Sequence, residues 1–251
     1  MIKFFRQIRQ RLLAENKVSR YLLYAMGEII LVVIGILLAL QINTWNEARK
    51  SLQDEALYLS RLLSENRQDI NSFSMAISEL EKGNNTIENL SASLKNSDTK
   101  DSTLVQYASD YFKFGSIFPI FYSSSSTFED LSSTGNLKVI TNVALRDDIV
   151  QHYARHKQVE ERIQIAIDWA LPLDAPFTFD NNIMKFEPST AFLFPDEPIK
   201  VLARELRDKK ITYISNAAAH YWINKDAISQ IRQLLEETSL LVTKLENELN
   251  N

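Results

Sequence analysis

The most regular pattern in the chain is an apolar stripe that begins near residue 50. Steps of alternately four and three residues through 52–94 meet mostly apolar side chains. This is the heptad pattern of a helix that packs along one face, as in a coiled coil. Asn66 and Asn84 interrupt the stripe, and Gly83 is its weakest point for helix formation. The pattern predicts a long helix over about 47–95.

A second stripe of similar length closes the chain and predicts a helix over about 210–249. Its positions are Ile211, Ile214, Ala218, Tyr221, Lys225, Ile228, Arg232, Leu235, Ser239, Val242, Leu245 and Leu249. Two long helices joined by a compact insertion bury their stripes most easily as an antiparallel pair. Leu104–Phe112 and Leu145–Ala170 have helical spacing as well. The expected fold class is all-α, a helical bundle.

Upstream of the bundle, the run from Tyr21 to Ile42 contains one formal charge in 22 residues. As a helix it would extend roughly 33 Å, enough to cross a hydrocarbon core of about 30 Å. A cleaved signal peptide is the alternative, but no A-x-A-like cleavage site follows the run. We therefore expect an uncleaved membrane anchor over 21–46. No helix-breaking residue separates it from the bundle, so one helix is expected over about 21–95.

Charge decides the expected orientation of this anchor. Six of the first twenty residues are Lys or Arg, and their spacing with apolar residues predicts a basic amphipathic segment over 1–20 on the inner leaflet. A disordered tail is the alternative. The excess of basic charge before the span predicts a cytosolic N-terminus, so 47–251 would be extracytosolic. A one-span sensor would need a cytosolic output domain, and we expect twenty residues to be too few for one.

Glu28 lies inside the apolar run, where a carboxyl group normally faces protein or water. The heptad stripe, continued backwards, passes through Glu28, and Gly35 on the same face would allow close backbone approach. This predicts a seam for a homo-oligomer. Its residues are Glu28, Leu31, Gly35, Leu38 and Ile42. The alternatives are a carboxyl group that only fixes a helix contact, and one that titrates as in the stator subunits of proton-driven motors.

Composition excludes several other functions. The chain has 28 basic and 32 acidic residues and no Cys, so a generally basic nucleic-acid surface, disulfides and thiolate metal sites are excluded. The 5 Gly leave little material for phosphate-binding loops. No G-x-S-x-G or S-x-x-K pattern accompanies the serines at 123–126. We expect a protein that is not an enzyme and needs no cofactor.

Aromatic residues concentrate in the middle of the chain and predict a compact head over about 104–198. Five of the 6 Pro lie within 171–198, which predicts a long loop that packs over the end of the bundle farthest from the membrane. Exposed aromatic clusters often mark interaction surfaces. The predicted partner-binding residues are Phe177, Phe179, Phe186, Phe192 and Phe194. Nearby, Ser126 and Glu129 have capping-box spacing, and Gly135 predicts a helix end.

One helical face carries a weak candidate for a metal site. Asp148, His152, His156 and Glu160 follow one another at intervals of four residues. Both histidines also fall on the apolar stripe of their helix, so packing against Tyr153 is the preferred interpretation. His220 has no acid or nucleophile at a diagnostic spacing and receives no predicted role.

Two segments resemble a known family. The segment MIKFFRQIRQ with YLLYAMGEIILVVIGILLALQINTWNE, and the stretch STFEDLSSTGNLKVITNVALRDDIVQHYA at 126–154, are similar to uncharacterised single-span membrane proteins common in Bacteroidota. The resemblance implies a Gram-negative inner membrane and a periplasmic domain, and it implies no catalytic residue. We therefore expect a membrane-anchored, non-enzymatic scaffold or interaction module with an unidentified envelope partner. The alternative is a ligand-binding or sensor module that acts through a partner.

Overall fold

The structure, a computed structural model, describes residues 18–250, without the side chains of 18–21 and Tyr24. Most of the basic amphipathic segment expected over 1–20, namely residues 1–17, lies outside the described residues. The helices are α1 (Val18–Lys95), α2 (Asp101–Asp110), α3 (Ser126–Ser133), α4 (Val143–Asp180), α5 (Ile199–Asp208) and α6 (Lys210–Leu249). A π-helical turn, Tyr111–Gly115, follows α2, and short 3-10 turns cover Asn136–Val139, Ile183–Lys185 and Ala191–Leu193. Over 18–250 there is no strand, and the predicted all-α fold is confirmed.

The predicted continuity of the first helix is confirmed, because α1 runs unbroken for 78 residues. By its contacts the chain divides after Ala56 into an N-terminal unit and a bundle unit, Leu57–Asn251. Within the bundle unit most of the predicted stripe is buried from Leu59 onward, including Phe73, Ile87 and Leu94, and the remainder is half-buried. These side chains form the contact surface of α1 in the bundle core.

The bundle consists of α1, α4 and α6, with α6 antiparallel to both other helices. Arg67 donates to Glu246 at 2.6 Å, and Arg232 donates to Glu81 at 2.8 Å, so residue numbers rise on α1 as they fall on α6. Arg162 likewise donates to Asp226 of α6, at 2.7 Å. The antiparallel pairing expected from the two long stripes is therefore confirmed.

The predicted face of α6 is only partly correct, because Ile228, Val242 and Leu245 of the expected stripe are buried. Ile211, Ala218, Lys225 and Arg232 of the expected stripe are exposed. The buried face is centred beside the predicted stripe, and its members are Tyr213, Ala217, His220, Ile223, Asn224, Ala227, Ile228, Ile231, Leu234, Thr238, Leu241, Val242 and Leu245. Three of these side chains are polar and therefore did not count as apolar positions. Contact with both α1 and α4 determines the face that is buried, and apolar spacing alone did not identify it.

The predicted single head over 104–198 is also wrong, because this segment serves both ends of the bundle. Leu131, Ile140 and Leu145 pack with Leu59 and Leu241 in one cluster. At the other end, α2, α5 and the 3-10 turn Ile183–Lys185 pack against α1 near Leu94 and α6 near Tyr213. Helix α4 has 38 residues, roughly 57 Å of length, and connects the two ends.

The predicted loop over 171–198 is helical in its first part, because α4 continues to Asp180 through Pro172 and Pro176. A proline inside a helix deprives the carbonyl four residues earlier of its donor. The residues affected are Asp168 and Pro172, and both are exposed. Water can hydrogen bond to carbonyls at such positions, so the helix survives there.

Two local expectations need correction. The start of α3 is not closed by a capping box of Ser126 and Glu129. Instead Glu65 of α1 accepts hydrogen bonds from the Ser126 hydroxyl at 2.5 Å and the Thr127 hydroxyl at 2.7 Å. The helix does end before Gly135, which has a left-handed φ of 71° as predicted.

Gly83 is a contact point and not simply a weak position of α1. A Cβ atom at Gly83 would lie 2.9 Å from the Phe114 carbonyl oxygen. A Cβ atom at Gly115 would lie 2.6 Å from the Thr86 hydroxyl oxygen. Two glycines therefore let the π-helical turn approach α1 closely.

Candidate functional site

The apolar part of α1 is the most extended candidate surface. All seam residues predicted there are exposed, with Leu31 at 72% and Ile42 at 66%. A Cβ atom at Gly35 would meet no atom within 4 Å. Glu28 is exposed and borders a shallow groove with Ala25, Ile29, Val32 and Val33. Within the described residues one helix, α1, is long and apolar enough to cross a membrane, and its apolar stretch is not buried in the structure.

A buried polar layer lies where α1 meets α4. His152 and His156 are 6% and 3% exposed, and their ring centroids are 4.3 Å apart. The Tyr153 ring centroid lies 5.2 Å from that of His156 and 5.5 Å from that of His152. Asn66 of α1 donates to the Tyr153 hydroxyl at 3.1 Å. The predicted packing of both histidines against Tyr153 is confirmed.

This environment disfavours protonation of both imidazoles. Burial lowers the pKa of His152 to about 4. Burial, together with the neighbouring His152, lowers the pKa of His156 to about 3. Both ring nitrogens of His156 and Nε2 of His152 are buried without a hydrogen-bond partner. The pair is therefore a neutral and incompletely satisfied polar element of the core.

The other residues of the metal candidate are directed elsewhere. Lys244 donates to the Asp148 carboxylate at 2.6 Å, and Glu160 is exposed. Among residues 18–250 no group of three or more His, Asp or Glu side chains is arranged to hold a metal ion. The four residues that share a helical face are therefore not brought together as ligands.

Sequence reasoning missed a second polar group, which joins the π-helical turn, α4 and α6. Asp174 Oδ1 lies 3.0 Å from His220 Nε2 and accepts from Asn216 at 2.8 Å. Tyr111 in turn donates to the Asn216 side-chain oxygen at 2.6 Å. Asp174 is 46 residues from His220 and lies between two prolines that indicated a loop. No local spacing could have linked these residues.

Burial and hydrogen bonding have opposite effects on the pKa of Asp174 in this polar group. Burial alone would raise the pKa of Asp174, but the hydrogen bonds from His220 and Asn216 outweigh it and lower the pKa. Burial raises the pKa of Tyr111 well above its usual value. A carboxylate beside a histidine can support base catalysis, but the His220 ring is 2% exposed and lies 4.9 Å from the Phe118 ring. The arrangement therefore connects helices and offers a substrate no access.

The five phenylalanines predicted for partner binding have different environments. Phe186 is buried in the core, and Phe177 is half-buried against Tyr213 with ring centroids 5.7 Å apart. Phe194 is half-buried. Phe179 and Phe192 are 75% and 79% exposed. Only these last two have fully exposed rings, so the five residues do not form one surface.

The fold and these sites define an all-helical module with a candidate membrane span at its N-terminal end. The chain belongs to the family of unknown function DUF6090, whose model matches residues 28–159, just over half of the chain. The matched region runs from Glu28 to Val159 and so includes the buried histidine pair. Comparisons with curated proteins and with solved structures give no match.

Proposed function

We propose that the chain is a single-pass inner-membrane protein of Bacteroidota that carries a non-enzymatic scaffold or interaction module on its periplasmic side. The observation that supports this most directly is the exposure of the run from Leu22 to Ile42, in which Ala25 is half-buried and every other described side chain is exposed. Isolated apolar side chains are common on surfaces, but a continuous helix of them needs a cover. A bilayer covers such a helix on all sides.

Orientation and anchoring have separate tests. A reporter active only in the periplasm, fused after Asn251, should be active, and the chain should resist carbonate extraction from membranes. Replacing the basic residues Lys3, Arg6, Arg9 and Arg11 with Glu should disturb the orientation, because the basic flank holds the N-terminus inside. An active cytosol-only reporter at the same position would overturn the proposed orientation.

The non-enzymatic assignment is supported by the burial of the histidines. The three His of the chain are 6%, 3% and 2% exposed, so little of any imidazole ring is open to a substrate, although His152 borders a surface cavity. A direct test is the metal content of the purified chain, compared with a His152→Leu/His156→Leu variant. Equal content is expected. Loss of a stoichiometric metal in the variant would favour an enzyme.

A ligand-binding module that acts through a partner is the second candidate, and one cavity favours it. The cavity of about 270 Å³ lies between α1 and residues 114–120, and its lining includes Leu80, Phe114 and Phe118. Its size is near the lower end of small-ligand pockets. A hydrophobic fluorescent probe should bind there, and Ala76→Phe, which fills the lining, should reduce its affinity at least tenfold. If the affinity for the probe did not change in this variant, the cavity would no longer support a ligand-binding function.

A proton-linked, stator-like role of Glu28 is the third candidate. The carboxylate borders a groove on an otherwise apolar helix, a position where titratable groups often have a function. Glu28→Gln distinguishes this role from assembly, because glutamine keeps the hydrogen-bonding shape and cannot titrate. Loss of function with normal assembly would support it.

A further inference from the structure

The bundle carries an apolar surface on α4 and α6 that neither the core packing nor the membrane segment explains. We define the aromatic face by its members: Ile165, Trp169, Pro172, Leu173, Pro176 and Trp222. The residues of α4 recur at intervals of three and four and so lie on one side of that helix. The Trp222 ring of α6 lies 5.7 Å from the Trp169 ring, in an edge-to-face arrangement.

These side chains are unusually accessible for their size. Ile165 and Leu173 are 70% and 62% exposed, and the two tryptophans are 56% and 57% exposed. Single exposed apolar side chains are normal, but a contiguous group of this kind marks an interaction site. With aromatic side chains of about 150–250 Å² each, the face presents on the order of 500 Å².

The two edges of the aromatic face carry opposite charges. Asp168 lies on the side of α4 away from α6, where it accepts from Gln164 at 2.7 Å. Lys225 lies on the side of α6 away from α4, one turn after Trp222. Arg162 pairs with Asp226 and Trp169 packs against Trp222, so Lys225 lies within about one helical turn of Asp168 along the bundle.

The geometry points to a second copy of this chain as the occupant of the aromatic face. A two-fold axis parallel to the helices places the α4 edge of one copy against the α6 edge of the other. Asp168 of each copy then meets Lys225 of the other. A two-fold axis perpendicular to the helices would oppose Asp168 to Asp168, which is repulsive.

The parallel arrangement also fits the proposed membrane anchoring, on which this inference rests. Helix α1 enters the bundle at Leu57, and a parallel two-fold axis leaves both Leu57 ends on the same side of the pair. Two copies that are anchored in one bilayer must have their Leu57 ends on the same side. The pair buries roughly 1,000 Å² in total, the lower limit for a specific interface. Confinement to one membrane raises the effective concentration and compensates for the small area.

Cross-linking of the full chain in native membranes tests the surface directly. The chain has 0 Cys, so single cysteines can be introduced without background. Leu173→Cys lies beside the groove between α4 and α6, near the proposed axis, and should give at least fivefold more covalent dimer than Met75→Cys. Met75 is a matched control because it is 65% exposed and lies on α1. Equal yields, or a product with another protein at position 173, would overturn the inference.

A charge exchange tests the orientation. Lys225→Glu and Asp168→Lys should each reduce the dimer yield at position 173 several-fold, and the double variant should restore it. If the single substitutions acted only by disturbing the fold, their losses of dimer yield would add in the double variant, and the yield would not be restored. Thermal melts check that all variants fold. Failure of rescue would exclude the parallel arrangement. Carbonate extraction measures membrane anchoring independently of the dimer. A chain that is released by carbonate but still cross-links at position 173 would contradict only the membrane assignment.

Discussion

Two parts of the same helix follow opposite rules of burial. Between Leu22 and Ile42, α1 exposes an almost unbroken apolar surface. In the bundle, the same helix buries Asn66, Asp69 and Asn84, at 0%, 2% and 6% exposure. In water the first part has nothing to bury against, whereas the second part has two helices. The comparison indicates that the first part is suited to an apolar environment, whereas the buried polar groups of the second part require hydrogen-bond partners.

The largest expected effect concerns the first part. Val33→Lys with Leu37→Lys should release the chain from carbonate-washed membranes, because each central charge costs about 2.5–3.5 kcal/mol on insertion scales. The thermal melt of the bundle should not change. Met75→Lys, at an exposed bundle position, is the control and should leave the chain in the membrane. Retention of the double variant would show that the run does not span a bilayer.

The next effect concerns the second part and its response to acid. The folded-state pKa values of His152 and His156 are lowered to about 4 and about 3, from 6.5. The unfolded state therefore binds more protons, and stability is present above pH 6.5 and is lost as the pH falls toward these values. The expected loss between pH 7.5 and 5 is roughly 2 kcal/mol for each histidine at most.

Chemical denaturation across this pH range provides the measurement. His152→Leu/His156→Leu should be less sensitive to acid than the natural sequence. The comparison with this variant is needed because burial raises the pKa of Asp69, which acts in the opposite direction. His220→Gln serves as the control that keeps both histidines of the pair. The same pH dependence of the free energy of unfolding in all three proteins would contradict the assignment of acid sensitivity to His152 and His156.

A smaller effect separates two glycines of α1. Gly83→Ala should lower the free energy of unfolding by up to about 2 kcal/mol. The new methyl group would meet the Phe114 carbonyl oxygen at 2.9 Å, at a cost of about 1–3 kcal/mol. The better helix propensity of alanine offsets about 1 kcal/mol of this cost. Gly35→Ala meets no atom within 4 Å and should not destabilise the bundle. Stabilisation by Gly83→Ala would show that the π-helical turn can move away.

The sequence was sufficient where the buried side chains are apolar and the contacts are local. The continuity of α1, the left-handed Gly135 and the buried stripe of α4 that contains His152 followed from spacing and composition. The face of α6 followed only in part, because His220, Asn224 and Thr238 occupy buried positions. Polar side chains in a core are determined by partners on other helices, which apolar periodicity does not record.

Even less of the candidate sites than of the fold could be predicted from the sequence. Glu65 caps α3 from 61 residues away, and Asp174 meets His220 from 46 residues away. Pro172 and Pro176 indicated a loop because a proline inside a helix removes a hydrogen bond and crowds the preceding turn. On the exposed side of α4 the freed carbonyls of Asp168 and Pro172 can hydrogen bond to water, and the helix continues. Trp169 and Trp222 are likewise brought together by the antiparallel packing of α4 and α6.

The smallest expected effect concerns the seam through Glu28. If Glu28, Gly35, Ile42 and Leu52 face a second copy, cysteines at 35, 42 or 52 should cross-link more efficiently than cysteines at 37, 44 or 54. Glu28→Leu should weaken association by about 0.5–2 kcal/mol if the carboxyl group bridges helices, while Glu28→Gln should assemble nearly normally. Cross-linking in membranes measures both. Equal yields at all six positions would exclude the shared seam, and assembly would then depend on the bundle, where polar groups are buried and the aromatic face is exposed.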